Sequence, residues 1–229
     1  MPSKSDHLTE AQMGQRFRVV LDAGKRPLMR FARVASEIDF SQGRPDFIGV
    51  GTSGSQRTTL PRLYARTRIP ISHISRVLTV LERDQNIALI DLAHAAAVTL
   101  SRTRRIIQPL ERIGAVCADA EDTLRVVDLG RIERPELWAF ELKLDDWKRC
   151  LYQTLVCRSY AQRVTAVFPM TKAKHIESIA PAFASHSIGV MLFDAGERKI
   201  RTVVETKAKK PRSAYHTWMS CFEIATSPR

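Results

Sequence analysis

Glu141 and Lys143 stand two positions apart in LWAFELKL, residues 137–144. The segment alternates, so a strand here sets Trp138, Phe140, Leu142 and Leu144 on one face and Leu137, Ala139, Glu141 and Lys143 on the other. A carboxylate and an ammonium then project side by side. That pairing suits phosphodiester hydrolysis: the glutamate binds a hard divalent cation through oxygen, and the lysine orients water or stabilises charge on the phosphate. Such a site calls for a second carboxylate. Two candidates are in reach, Asp46 in GRPDFIGV and Asp128, thirteen residues before Glu141. Glu10 and Glu37 could add a further acidic ligand, although no motif marks either.

The elements that must hold these groups follow from the neighbouring pattern. DDWKRCLYQTLVCRSYA reads as a helix, and RVTAVFP after it as a second strand. A strand, a helix and a strand joined this closely form a right-handed crossover, which predicts parallel neighbouring strands. Gln153 projects from that helix. Further on, KAKHIESIAPAFAS suggests a helix, SIGVMLFDA a strand, KIRTVVET an edge strand and YHTWMSCFEIA a helix, with the basic run TKAKKPRS between the last two. At the other end, LTEAQMGQRFRVVLDA spaces Met13, Phe17, Val20 and Leu21 as one helical face, with Thr9 as N-cap and Gly24 as stop. RFARVASEIDF and PDFIGVG then read as a strand pair. The Thr, Ser, Gly, Pro and Arg of residues 52–68 are loop chemistry, and the glycines from Gly49 to Gly54 lack the Gly-Lys-Ser/Thr ending of a phosphate loop.

Residues 71–114 predict three consecutive helices. ISHISRVLTVLERD carries Ile74, Val77, Leu78 and Leu81 on one face; ALIDLAHAAAV is short and alanine-rich; SRTRRIIQPLERIG buries Ile106, Ile107, Leu110 and Ile113 and exposes Ser101, Arg102, Thr103 and Arg105 near its start. VCADAEDTLRVVDL fits a two-stranded hairpin or the first strand of another sheet. The stretch DLAHAAAVTLSRTRRIIQPLERIGAV resembles the winged helix-turn-helix fold. The resemblance implies that the third helix enters the DNA major groove, with Ser101, Arg102, Arg104 and Arg105 as contacts. Between Arg57 and Arg112 there are ten arginines against Glu82, Asp84, Asp91 and Glu111, which is half of the chain's surplus charge.

FELKLDDWKRCLYQTL followed by RVTAVFP, with GRPD upstream, resembles the PD-(D/E)xK nuclease superfamily. The resemblance covers residues 8–50 and 125 to about 205. It implies a restriction-endonuclease-like α/β fold, a mixed sheet flanked by helices, in which Asp46 and Glu141 hold Mg²⁺ or Mn²⁺, Lys143 assists the hydrolytic water and Gln153 supports it. The two half-motifs lie 95 positions apart here, far more than the family's hairpin. An inserted module with close ends explains the gap. The expected organisation is therefore a nuclease-like domain in two parts, 1–56 and 125–229, around an inserted helix-turn-helix module at 57–124 that sits beside the cleavage site.

Composition sets the outer bounds. With 229 residues, 44% of them hydrophobic, the chain can bury a core, which excludes wholesale disorder and a small disulfide scaffold. Its 36 Lys and Arg against 24 Asp and Glu give a formal charge of +12 and point to a polyanionic partner. The four cysteines form no CxxC pair and the six histidines no HxH or HxxxH, so neither a zinc site nor a histidine-based nucleophile is expected. Nothing reads as a membrane span or export signal, and a cytoplasmic protein with reduced thiols is expected. The leading expectation is a Mg²⁺-dependent DNA endonuclease acting on double-stranded DNA; a homodimer, or partner proteins of a defence or mobile-element system, would be compatible with it. The competing class is a non-catalytic DNA-binding regulator that uses a nuclease-like fold to dimerise or dock partners. An RNA-directed nuclease fits less well, because a helix-turn-helix suits a B-form major groove.

Overall fold

The computed structural model describes residues 8–24, 27–36, 38, 40, 43–51, 68–119, 121–132 and 134–226. Glu37, the loop at 52–67 and three of the counted arginines, Arg57, Arg62 and Arg66, lie outside the described residues. The chain divides into two compact units, Met1–Thr52 with Glu136–Lys210, and Ser53–Pro135 with Pro211–Arg229.

The first unit is built on a six-stranded mixed sheet. Helix α1 (Glu10–Ala23) precedes β1 (Phe31–Ser36) and β2 (Phe47–Gly51), and the chain returns as β6 (Leu137–Leu142), α5 (Trp147–Cys157), β7 (Arg163–Pro169), α6 (Ala173–Ala184), β8 (Gly189–Asp194) and β9 (Lys199–Val204). The strand order is β1-β2-β6-β7-β8-β9. β6, β7 and β8 run parallel, as the helical crossovers between them require; β1, β2 and β9 add antiparallel pairs at the edges. β6 is buried along its whole length, which fits its central place in the sheet.

Helix α1 starts with a reciprocal capping box, Gln12 N–H to Thr9 and Thr9 N–H to the Gln12 side chain. It ends at Gly24, whose φ of 57° is the left-handed cap that glycine adopts without penalty. Its face of Met13, Phe17, Val20 and Leu21 packs on Phe47, Trp138, Phe140 and Leu142. The opposite side of β6, which carries Glu141, meets Cys150 and Cys157 of α5.

The second unit contains α2 (Ile71–Arg83), β3 (Asn86–Ala88), α3 (Leu89–Ala95), α4 (Leu100–Arg112), β4 (Val116–Ala118), β5 (Thr123–Val126) and α7 (Ala214–Thr226). β4 and β5 form a hairpin, and β3 pairs with β5 to give the antiparallel order β3-β5-β4. Three residues are too few for β3 to show a period in sequence. α7 packs against α2 and buries Trp218, Cys221 and Phe222, while Arg134 lies over the Trp218 ring at 4.6 Å. The final helix and residues 125–135 thus belong to this unit rather than to the sheet, and its bounds are wider than the expected 57–124. The apolar face of α7 is what draws it there.

Among the described residues, no helix is long and apolar enough to cross a membrane.

Candidate active site

The hydrogen-bonded ladder between β2 and β6 runs from Val50–Leu137 to Phe47–Phe140. One step beyond it, the Asp46 side chain takes over as acceptor: its Oδ2 receives the Leu142 backbone N–H at 2.7 Å. Asp46 is thereby fixed beside Glu141 and Lys143. On the other side, Lys143 N–H donates to the Val167 carbonyl at 3.1 Å, so the pairing of β6 with β7 extends through the lysine.

Glu141 is 2% exposed. Its Oε1 receives a long contact from the Cys157 thiol at 3.6 Å, and Tyr160 O–H donates to the same sulfur at 3.2 Å. Its Oε2 is buried without a hydrogen-bond partner. Burial pushes the Glu141 carboxyl up to about 8, the negative charge of Asp46 adds to the shift, and Lys143 and the Cys157 contact oppose it. Burial also pushes the Cys150 and Cys157 thiols well above their ordinary range, so both are neutral packing groups.

The Lys143 ammonium is buried and donates to the Leu142 carbonyl at 2.9 Å and to Glu10 Oε2 at 3.3 Å. Glu10 opens α1 and is half-exposed, so the ammonium faces a carboxylate that solvent reaches. Gln153 follows Cys150 by three residues and precedes Cys157 by four, on the part of α5 that meets Glu141. Its amide oxygen is buried without a hydrogen-bond partner. A cavity of about 560 Å³ runs from Glu10, Asp46 and Leu142 along α1 past Gly14, Gln15 and Arg18.

Asp128 serves elsewhere. It belongs to the second unit, where it accepts the Gly130 N–H at 2.8 Å and pairs with Arg131 at 3.7 Å. Of the two candidate second carboxylates, only Asp46 stands at the Glu141 strand.

The donor set can be tested against a cation. Among the described residues, no three or more His, Cys, Asp or Glu side chains converge as a metal cluster. Asp46 and Glu141 offer two carboxylates, the number Mg²⁺ takes when it keeps several of its waters. The partnerless, buried Glu141 Oε2 is the kind of atom such an ion would satisfy.

In the second unit α4 buries Ile106, Ile107 and Leu110 and leaves Ser101, Arg102, Arg104 and Arg105 exposed. Thr103 departs from expectation. It is fully buried, and its hydroxyl donates to the Thr99 carbonyl at 3.1 Å, because it falls on the same helical stripe as Ile106 and Ile107. Arg104 pairs with Asp122, a residue of the β4–β5 turn with φ 57°, at 3.1 Å. Burial, with Arg102 and Arg76 close by, holds the His73 imidazole below its ordinary value. His73 is therefore neutral near pH 7, and it is Arg76 of α2 that adds positive charge beside α4, an extension of the basic face that helix-by-helix reading of the sequence did not find.

No protein-family model, no curated protein and no solved structure matches the chain.

Proposed function

We propose that the chain is a metal-dependent DNA endonuclease of the PD-(D/E)xK kind, with a restriction-endonuclease-like first unit and a winged helix-turn-helix second unit that grips duplex DNA. The observation that carries the reading is the convergence of Asp46 on the strand of Glu141 and Lys143 across 96 positions, through its bond to Leu142 N–H. A structural ion pair would not need a 2%-exposed glutamate with an orphaned oxygen beside a second carboxylate. In the second unit, two helices, a third short helix and a three-stranded antiparallel sheet leave the arginines of α4 facing solvent, which supports the DNA-gripping role.

Asp46 and Glu141 would hold Mg²⁺ or Mn²⁺. When bound, the cation supplies Lewis-acid charge to the phosphate and lowers the pKa of water. Lys143, released from Glu10, would stabilise the charge that develops on the phosphate or orient the attacking water. Gln153 would position that water through its otherwise unused amide. Ser101, Arg102, Arg104 and Arg105 would meet phosphates and base edges of the duplex. The test is Mn²⁺ titration of the full chain beside cleavage of an end-labelled duplex. One Mn²⁺ site that disappears in Asp46→Asn and Glu141→Gln together with cleavage supports the reading; cleavage retained in Glu141→Gln or Lys143→Ala contradicts it.

A further inference from the structure

Gly14 lies in the middle of α1, where glycine is a poorer choice than alanine because it must give up more backbone freedom. Neither conformation nor packing calls for it. Its φ is ordinary for a helix, and a methyl group in its place would stand 3.7 and 3.8 Å from two carbons of the Phe47 ring, normal van der Waals contact. What the absent side chain does is keep open the wall of the cavity that leads away from Asp46.

Past Gly14 the cavity is bounded by Gln15, Arg18 and Ser36. Arg18 is already tied to Asp22 at 2.8 Å and to the Val34 carbonyl at 2.9 Å, so it acts as a fixed wall. Gln15 and Ser36 are exposed, and among the described residues their side chains make no hydrogen bond. An amide that both donates and accepts, beside a hydroxyl, matches the mixed edges of a nucleobase and the oxygens of a sugar. A cavity of about 560 Å³ is within the size range of small-ligand sites. Asp46 and Leu142 line its end at the Glu141 strand, where the phosphate would be.

We infer that this cavity seats the nucleoside adjoining the phosphate to be cut, with Gln15 and Ser36 as its hydrogen-bonding groups and Gly14 kept bare to admit it. The inference rests on the nuclease reading of the same site.

The test titrates thymidine 5′-monophosphate, and separately inorganic phosphate, into the ¹⁵N-labelled full chain with Ca²⁺ present, beside thermal unfolding and Mg²⁺-dependent plasmid cleavage. The nucleotide, and not phosphate alone, shifts the backbone amides of Gly14 and Ser36 and the side-chain amide of Gln15. Gly14→Leu weakens nucleotide binding by at least about tenfold. Gly14→Ala raises the unfolding midpoint while weakening binding, the pattern of a residue kept for function at the expense of stability. Identical shifts with phosphate alone, or unchanged nucleotide affinity in Gly14→Leu, overturn the inference. Should Gly14→Leu fail to fold, unchanged affinity in both Gly14→Ala and Gln15→Ala overturns it. Nucleotide seated at these amides in a protein that never cuts plasmid supports the seat and contradicts the nuclease reading; cleavage by Gly14→Leu with unaltered substrate dependence overturns the seat and leaves the nuclease reading standing.

Discussion

Asp46 accepts the backbone N–H of Leu142 at 2.7 Å, so the side chain of one strand completes the hydrogen-bond ladder of its neighbour at the residue between Glu141 and Lys143. The bond gives Asp46 two separable roles, one in the fold through an acceptor oxygen and one in the site through its charge. Asp46→Asn keeps an acceptor and should stay within about 1 kcal/mol of wild type in stability, yet lose cleavage. Asp46→Ala strands the Leu142 N–H and should cost about 1–3 kcal/mol as well. Urea denaturation of both variants beside a cleavage assay separates the roles; equal destabilisation by the two substitutions would contradict this assignment.

Glu141 makes stability depend on pH. Its folded pKa is raised from 4.5 to about 8, so the folded state holds the proton more tightly than the unfolded chain. The stabilising contribution of the neutral form is therefore complete below pH 4.5 and is lost as the pH rises towards 8. At 1.36 kcal/mol per pKa unit the full difference is of order 5 kcal/mol. Glu223, raised to about 7 by burial, acts in the same direction, so the comparison must be between wild type and Glu141→Gln, in which the Glu223 term cancels. In EDTA the variant should gain on wild type steadily from pH 5 to pH 8 in unfolding free energy. Parallel stability curves for the two proteins would show that Glu141 does not titrate in this window.

The exposed face of α4 gives a binding prediction. Arg102 has no ion-pair partner among the described residues, whereas Arg104 is held by Asp122. Arg102→Ala should weaken duplex binding and lower the slope of log K against log salt by about 0.9, the loss of one phosphate contact. Asp122→Ala should strengthen binding, because it frees Arg104 at the loss of a surface pair contributing about 1 kcal/mol or less. Fluorescence anisotropy across a salt series measures both, and a weaker-binding Asp122→Ala would contradict the role given to Arg104.

Much of the framework was legible because its signals are periodic and local. The stripe of Met13, Phe17, Val20 and Leu21, the Thr9 cap, the alternation through Glu141 and the parallel placement of β6 and β7 all depend on neighbours in sequence. The polarity of Thr103 suggests exposure, but its hydroxyl bonds to the Thr99 carbonyl and so enters the core. β3 was missed for its length. The destination of α7 was not legible, since an apolar helix face does not say which surface it will cover. In the site, Asp46 could be read as a candidate but not chosen over Asp128, because the choice depends on strand register 95 positions away. The thiol of Cys157 on Glu141 and the cavity beside Gly14 are products of packing alone.

The most direct measurement is a supercoiled-plasmid assay with Mg²⁺, Mn²⁺ or EDTA, comparing wild type with Glu141→Ala and Lys143→Ala at equal concentration. The account predicts nicked or linear plasmid with wild type in either metal, none in EDTA, and none with either variant while both still retard DNA in a gel. Intact plasmid in every lane, with a retarded band from the wild type, would contradict it and leave a non-catalytic DNA-binding protein.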